Sequence, residues 1–235
     1  MKNPKKCLVF LLLLVYFVTL CTINVLAESI VTPAEPEFTH QSDDFYGYVD
    51  NAYRLYKITL ETTAEGETIK YEGEVEHQIE KVYDQDGVVV FREETASVLV
   101  VNGMEIPLTM DLGFIGKKAT ANGYNYYNLT VYDPATEAES YDLSKMDDPD
   151  CLEYIAPLEI GENTPQGNVI DYENLTVPAG SGKAYRIVTT YSDEEKDVTQ
   201  TVWVVPGIGF VKMIDLTQGA TGEETVSLEL ISYTY

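Results

Sequence analysis

Two histidines, one cysteine beyond the N-terminal region and 39 acidic residues are the side chains that could do chemistry here. Nucleophilic catalysis needs a base, and only His40 and His77 can supply one. His40 stands in a polar stretch containing Pro33 and Pro36, and neither histidine is near a Gly-x-Ser-x-Gly elbow. His77 alternates with apolar residues, which reads as a hydrogen-bonded core histidine. Cys151 follows Asp147, Asp148 and Asp150, whose charge would raise a thiol pKa rather than activate it. Paired carboxylates can do acid–base work on glycosides, but no spacing among these acids singles out a pair. No residue is assigned a catalytic role. A carboxylate enzyme acting on extracellular or envelope polymer remains the alternative class.

The same acids could hold a hard cation. Asp147, Asp148 and Asp150 form one oxygen-rich stretch, and Asp193, Glu195 and Asp197 form another. Calcium, which takes about six to eight oxygen ligands, is the cofactor they would suit. A solvated acidic loop is the simpler account of both. Asp84-x-Asp86-Gly87 has its glycine too early for an EF-hand and reads as a hairpin turn.

Aromatic side chains are the other resource. Of 18 tyrosines, Tyr124, Tyr126, Tyr127 and Tyr132 crowd one stretch, and Trp203 is the single tryptophan. Rings with an apolar body and a polar tip suit a sheet face that meets a ligand or partner. β-propensity alone would also explain the tyrosines.

The first 27 residues set the expected compartment. Lys2, Lys5 and Lys6 precede an uncharged apolar run, and Val25-Leu26-Ala27 predicts cleavage between Ala27 and Glu28. An uncleaved anchor would use the 20 residues from Cys7 to Leu26, weakened by Thr19, Thr22 and Asn24. A lipoprotein signal would want a small residue where Leu20 precedes Cys21. Cleavage implies a secreted or otherwise extracytoplasmic protein of bacterial type, with no membrane span afterwards.

All 39 acidic residues lie beyond residue 27, and three of the 15 basic ones lie before it. The remainder holds 12 basic and 39 acidic side chains, a net charge of −27 against −24 for the whole chain. Such a surface keeps a protein soluble and repels phosphate polymers, so nucleic-acid binding is excluded. Divalent cations and basic partners are allowed. Cys151 then has no partner within the chain, so disulfides do not hold the fold.

Residues 28–42 show no apolar period and read as a flexible lead-in to an all-β domain over 43–235. Period-two alternation predicts strands at 53–60 and 69–80. In the second, Ile69, Tyr71, Val75, His77 and Ile79 share one face, with charged and polar residues on the other. Gly73 suggests a bulge there. Asp86-Gly87 and Asn102-Gly103 are hairpin turns beside strands at 88–92, 96–101 and 106–112. Further strands are expected at 123–132, 169–177, 183–191, 198–205, 210–216 and 224–233. Residues 139–163 carry the weakest strand pattern, with a short helical turn expected at 140–146. About ten strands and little helix predict curved antiparallel sheet, half-barrel or sandwich-like. One extended domain and two halves meeting near residue 155 both fit.

The half from Tyr154 onward resembles a group of poorly characterised bacterial extracytoplasmic β-sheet proteins. The residues that carry the likeness are Pro157-Leu158-Glu159-Ile160-Gly161, Val177-Pro178-Ala179-Gly180, Trp203 with Pro206-Gly207-Ile208-Gly209-Phe210-Val211-Lys212, and Leu230-Ile231-Ser232-Tyr233. Glu162-Asn163-Thr164-Pro165 departs from the pattern, and 42–150 matches only loosely. The resemblance implies a curved antiparallel sheet like the half-barrels of periplasmic lipoprotein carriers, and no established activity. Read physically, Pro178, Gly180, Pro206, Gly207 and Gly209 are turn and edge residues. Trp203 is a core or rim anchor, or lines a cleft. The expected role is non-catalytic: a ligand or protein partner held on an aromatic sheet face by Trp203 with Tyr124, Tyr126, Tyr127 and Tyr132. A structural part in an envelope assembly is the further alternative.

Overall fold

The computed structural model describes residues 37–38, 42–64, 66–101, 104–192, 196–220 and 222–235, without the side chains of 99–111. The leader with its Ala27–Glu28 junction, most of the lead-in, His40, Asp193 and Glu195 lie outside the described residues. Strands in chain order are β1 (Ala52–Ala64), β2 (Glu67–Gln85), β3 (Val88–Val101), β4 (Met104–Ala119), β5 (Tyr124–Asn128), β6 (Thr130–Asp133) and β7 (Ala138–Tyr141). They continue as β8 (Leu152–Ala156), β9 (Asn163–Thr164), β10 (Gly167–Val177), β11 (Gly180–Ser192), β12 (Lys196–Val205), β13 (Gly209–Gly219) and β14 (Gly222–Thr234). Twelve of them form one curved, nearly closed antiparallel sheet in the order β8-β5-β4-β3-β2-β1-β14-β13-β12-β11-β10-β9. The expected all-β class holds, and the expected count of about ten strands is close to the twelve of this sheet; β6 and β7 pair separately.

The Asp86-Gly87 hairpin stands where the sequence places it, and Asn102-Gly103 lies outside the described residues. Gln85 pairs with Val88 across Asp86-Gly87, both at positive φ, as a two-residue turn between right-twisted strands requires. Gly73, however, sits in unbroken register between Ile58 and Leu99 and is no bulge. Both its neighbours supply ladder partners, so its missing side chain costs packing but no hydrogen bond. The β2 irregularity falls at Lys81–Tyr83 instead. The strands expected at 88–92 and 96–101 are one strand, because Glu93-Glu94 contains no turn residue and a register shift absorbs the irregularity.

β4 also runs further than the alternation shows, through Gly113 and Gly116 to Ala119. Those glycines are tight spots rather than breaks. A Cβ at Gly113 would overlap Thr130, and one at Gly116 would overlap Met146 and Leu129. Residues 129–151 therefore lie against this part of the sheet as the β6–β7 hairpin and two 3-10 turns (Leu143–Asp147 and Pro149–Cys151). They bury Val90, Phe114, Tyr127, Leu129 and Met146 together.

The Pro and Gly residues of 177–212 close one end of the sheet. β11 pairs with β12 only from Tyr185 onward, so residues 180–184 reach past the end of β12. The tip folds over, and the Ala179 N–H donates to the Leu230 carbonyl of β14 at 3.0 Å. Val177, Ala184, Val205, Ile208, Val211 and Leu230 are buried as one cluster. Gly180 has φ 153°. Gly182 is needed for its size rather than its φ, since a Cβ there would stand 2.8 Å from the Phe38 ring. Phe38 is held in place by its N–H to the Ser181 carbonyl, 3.0 Å.

Candidate functional site

The inner face of the sheet has two unlike halves. One is filled by residues 42–50, which turn inside it. Asp44 builds that turn: its Oδ1 accepts the N–H groups of Tyr46 and Tyr48, each at 3.0 Å. Gly47 is at φ 66°, and a Cβ there would meet the Ile208 carbonyl and the Arg54 guanidinium. Arg54, 1% exposed, donates from Nη2 to the Tyr46 and Gly47 carbonyls at 2.6 and 2.9 Å. The Tyr46 ring packs against Tyr126, Tyr154 and Phe210 at 5.2, 5.3 and 5.6 Å. Its hydroxyl donates to the Ile155 carbonyl of β8 at 2.9 Å and lies 3.0 Å from Gln166 Nε2, beside β10. One side chain thus bridges the two margins of the sheet.

Charge inside this half is matched. Lys117 Nζ lies 2.5 Å from Asp44 Oδ2, which also accepts the Tyr126 hydroxyl at 3.0 Å. Glu93 Oε1 accepts from Tyr48 and faces His77 Nε2, both at 3.0 Å. His77 is therefore the hydrogen-bonded inner-face histidine its pattern predicts. Burial pushes the hydroxyls of Tyr46, Tyr48 and Tyr126 well above the usual phenol range, and that of Tyr235 up to about 12. These tyrosines stay protonated and serve as donors.

The other half lies toward the β1–β2 and β13–β14 turns. Neither β5 and β8 nor β9 and β10 extends there: β5 pairs β4 only from Ile115, and β10 pairs β11 only as far as Val188. The sheet at this end is eight strands wide, with β4 and β11 as its margins among the described residues. Direct cross-strand partners define three transverse rows on its inner face. The innermost is Val202, Met213, Leu228, Ile58 and Gly73; the next is Gln200, Asp215, Val226, Leu60 and Tyr71. The outermost is Val198, Thr217, Glu224, Thr62 and Ile69. Leu60 and Val226 are buried, while Met213, Leu228, Tyr71 and Val198 remain half-buried and Ile69 is exposed. The rows make a trough, apolar at its inner end and acidic on the β13–β14 wall.

Two carboxyls stand out on that wall. Asp215 and Glu224 lie diagonally on neighbouring strands, given the pairs Asp215–Val226 and Thr217–Glu224. Burial raises the Asp215 carboxyl above the usual range, partly offset by the Gln200 amide. Burial raises Glu224 likewise, with Lys196 opposing. Asp215 Oδ1 is buried and accepts no hydrogen bond among the described residues. Period-two spacing in 210–216 and 224–233 marks these as inner-face positions, but only the register between two strands puts them side by side.

The residues expected to form an aromatic face are distributed differently. Tyr126 faces inward and is fully buried against Tyr46 and Tyr48. Tyr124, two residues before it, is 37% exposed beneath Lys117, 4.1 Å from its ring. Tyr127 points the other way, into the cluster under residues 129–151, and Tyr132 stands exposed on β6. Trp203 faces away from Val202 and Val204, which pack in the cluster that holds Tyr126. Its indole N–H donates to Glu173 at 2.9 Å, and Lys212 lies 5.7 Å from its ring. The structure does not bring Trp203 and the Tyr124–Tyr132 stretch to one face.

Of the acidic loops, Asp148 caps the second 3-10 turn by accepting the Asp150 N–H at 2.9 Å, and Asp147 pairs with Lys118 at 3.0 Å. Asp197 lies on β12 opposite Gln218. No group of three potential metal-ligating side chains comes together among the described residues. A depression of about 350 Å³ beside Asn51, Gln78 and Glu80 holds Arg92, already paired with Glu94 at 2.8 Å.

No family model and no curated protein matches this chain. Among solved structures it is similar to a protein described as exported, with a YmcC-like fold, from Bacteroides fragilis NCTC 9343. That likeness has 10% identity and a TM-score of 0.45, covering 82% of this chain and 99% of that one. A protein described as a lipoprotein from Parabacteroides distasonis ATCC 8503 gives 13% identity and a TM-score of 0.46, covering 83% and 100%. A domain described as outer-membrane lipoprotein-sorting from Vibrio parahaemolyticus gives 8% and 0.22, covering 78% and 85%. At these values the fold rests on the strand register itself. Among the described residues no helix is long and apolar enough to cross a membrane.

Proposed function

We propose that this chain is a non-catalytic, extracytoplasmic binding protein whose ligand lies in the trough at the open end of the sheet. The observation that carries the reading is the row Val202–Met213–Leu228–Ile58 continuing into Val226, Leu60 and Tyr71. Val202, Ile58, Leu60 and Val226 are buried as the floor of the trough, and Met213, Leu228 and Tyr71 keep part of their apolar surface exposed above them. Apolar walls with a few placed polar groups are what a small-ligand site requires. The aromatic half of the same face is unsuited to that work, because Tyr46 and Tyr48 already occupy it.

The test is saturable binding of the neutral apolar dye N-phenyl-1-naphthylamine, followed by fluorescence. Met213→Glu, placing a further carboxylate beside Asp215 with no cation facing it, should weaken binding at least tenfold, since burying an unpaired charge costs several kcal/mol. Tyr132→Lys on the distant β6 should leave it unchanged. Failure of the unaltered protein to bind the dye saturably would end this reading.

The Asp215–Glu224 pair favours a second reading, carboxylate chemistry on a glycoside. Diagonal cross-strand partners stand about 7–8 Å apart at the backbone, so their carboxyls can flank one glycosidic bond. Hydrolysis of a fluorogenic glycoside, abolished by Asp215→Asn, would establish it.

A further inference from the structure

Resting on the trough reading, we infer that the ligand is a single-chain amphiphile with a protonated amine head, held by Asp215 and Glu224. Position comes first. Successive inner-face rows are two residues apart, about 7 Å along the strands, so the apolar inner row lies one row from Asp215 and two from Glu224. An alkyl chain seated against Met213 and Leu228 brings a terminal head group to the two carboxyls.

Hydrogen-bond accounting comes second. A buried carboxylate oxygen without a donor is costly, and Asp215 Oδ1 is in that state. Gln200 serves the same carboxyl group but leaves Oδ1 open. A primary ammonium brings three N–H donors and a compact positive charge, enough for both carboxyls.

Charge selects among head groups. The facing positions in these rows are Gln200, Val226, Leu60, Tyr71, Val198, Thr217, Thr62 and Ile69, none of them cationic. Lys196, near the rim, is the cation that acts on Glu224. An anionic head placed beside two carboxyls would meet repulsion and leave Oδ1 unserved. The overall charge of −24 acts in the same direction but attracts amines everywhere on the surface, so the experiment must separate the two effects.

Calorimetry below the micelle concentration would compare dodecylammonium, dodecanol and dodecanoate on the full protein. The expected order is ammonium over dodecanol over dodecanoate, with roughly tenfold or more between first and last, the scale of charge-assisted hydrogen bonds. Asp215→Asn with Glu224→Gln should collapse that preference while dodecanol still binds. Glu74→Gln with Glu76→Gln removes the same charge from the opposite face and should leave the preference intact. Equal loss in both double variants would assign it to general attraction and overturn the inference. Equal binding of the three probes would also overturn it and leave the trough standing. Binding of none would remove the trough itself. Should the double variant not fold, Asp215→Asn alone is set against Glu74→Gln alone, and an equal loss of preference in the two single variants overturns the inference.

Discussion

At the scale of single residues, the buried carboxylates of the two halves differ in their partners, while Arg54 Nε is left without one in the filled half. Asp44, Glu93, Tyr46 and Tyr48 each have defined partners, and they lie where the chain packs against itself. Asp215 lies in the trough with one oxygen unserved. Its folded-state pKa is raised, so between the ordinary aspartate value, about 3.9, and the raised one the folded state binds more protons than the unfolded chain. Stability contributed by that proton is fully present below the lower value and is lost as pH rises through the raised one. Asp215→Asn is therefore expected to raise the melting temperature at pH 7 and to make little difference near pH 3.5. Thermal melts across that range check it. Destabilisation at both ends would mean the carboxylate holds the wall together instead.

At the scale of elements, the second-half strands were the most legible part of the chain. Alternation marked β10 to β14 almost to their ends, because these strands carry β-branched and aromatic residues between strong turn signals. The end of β4 was hidden because Gly113, Gly116, Lys117 and Lys118 carry no β signal of their own. Their place depends on Thr130, Leu129 and Met146 from another element. The trough was hidden for a related reason. Its rows run across strands, and alternation within a strand says nothing about which strand lies beside it. The aromatic face anticipated from Trp203 and the tyrosines drew on composition, whereas alternation turns Trp203 away from Val202 and Val204, and Tyr127 away from Tyr126.

The overreaching β10–β11 tip offers a test at this scale. Gly182→Leu forces a side chain into the Phe38 ring, which its own N–H ties to Ser181. Overpacking of that kind costs about 1–3 kcal/mol, measurable by urea unfolding. Adding Phe38→Ala should restore much of the loss, and the absence of any rescue would show that the two do not meet.

At the scale of the whole molecule, the closed half of the sheet owes its closure to residues 42–50. Tyr46 ties β8 to the turn before β10, and Arg54 and Tyr235 meet the same segment and the Ile208 carbonyl behind it. A chain lacking everything up to residue 50 would leave Tyr126, Glu93 and Arg54 facing an empty interior. Such a chain is expected to lose its cooperative thermal transition and to bind apolar dye without saturation, by calorimetry and fluorescence. A sharp transition with an unchanged midpoint would show that the strands close the sheet unaided.

The β1–β14 ladder joins the first strand of the sheet to the last. The earliest part of this domain to be synthesised therefore waits for the final dozen residues before it can settle. The hairpins β1–β5 and β9–β14 can each pair locally, but the ladder that joins the two runs must close the longest loop in the sheet. Whatever delivers this chain to its destination has a full-length interval in which to act on it while it is still open.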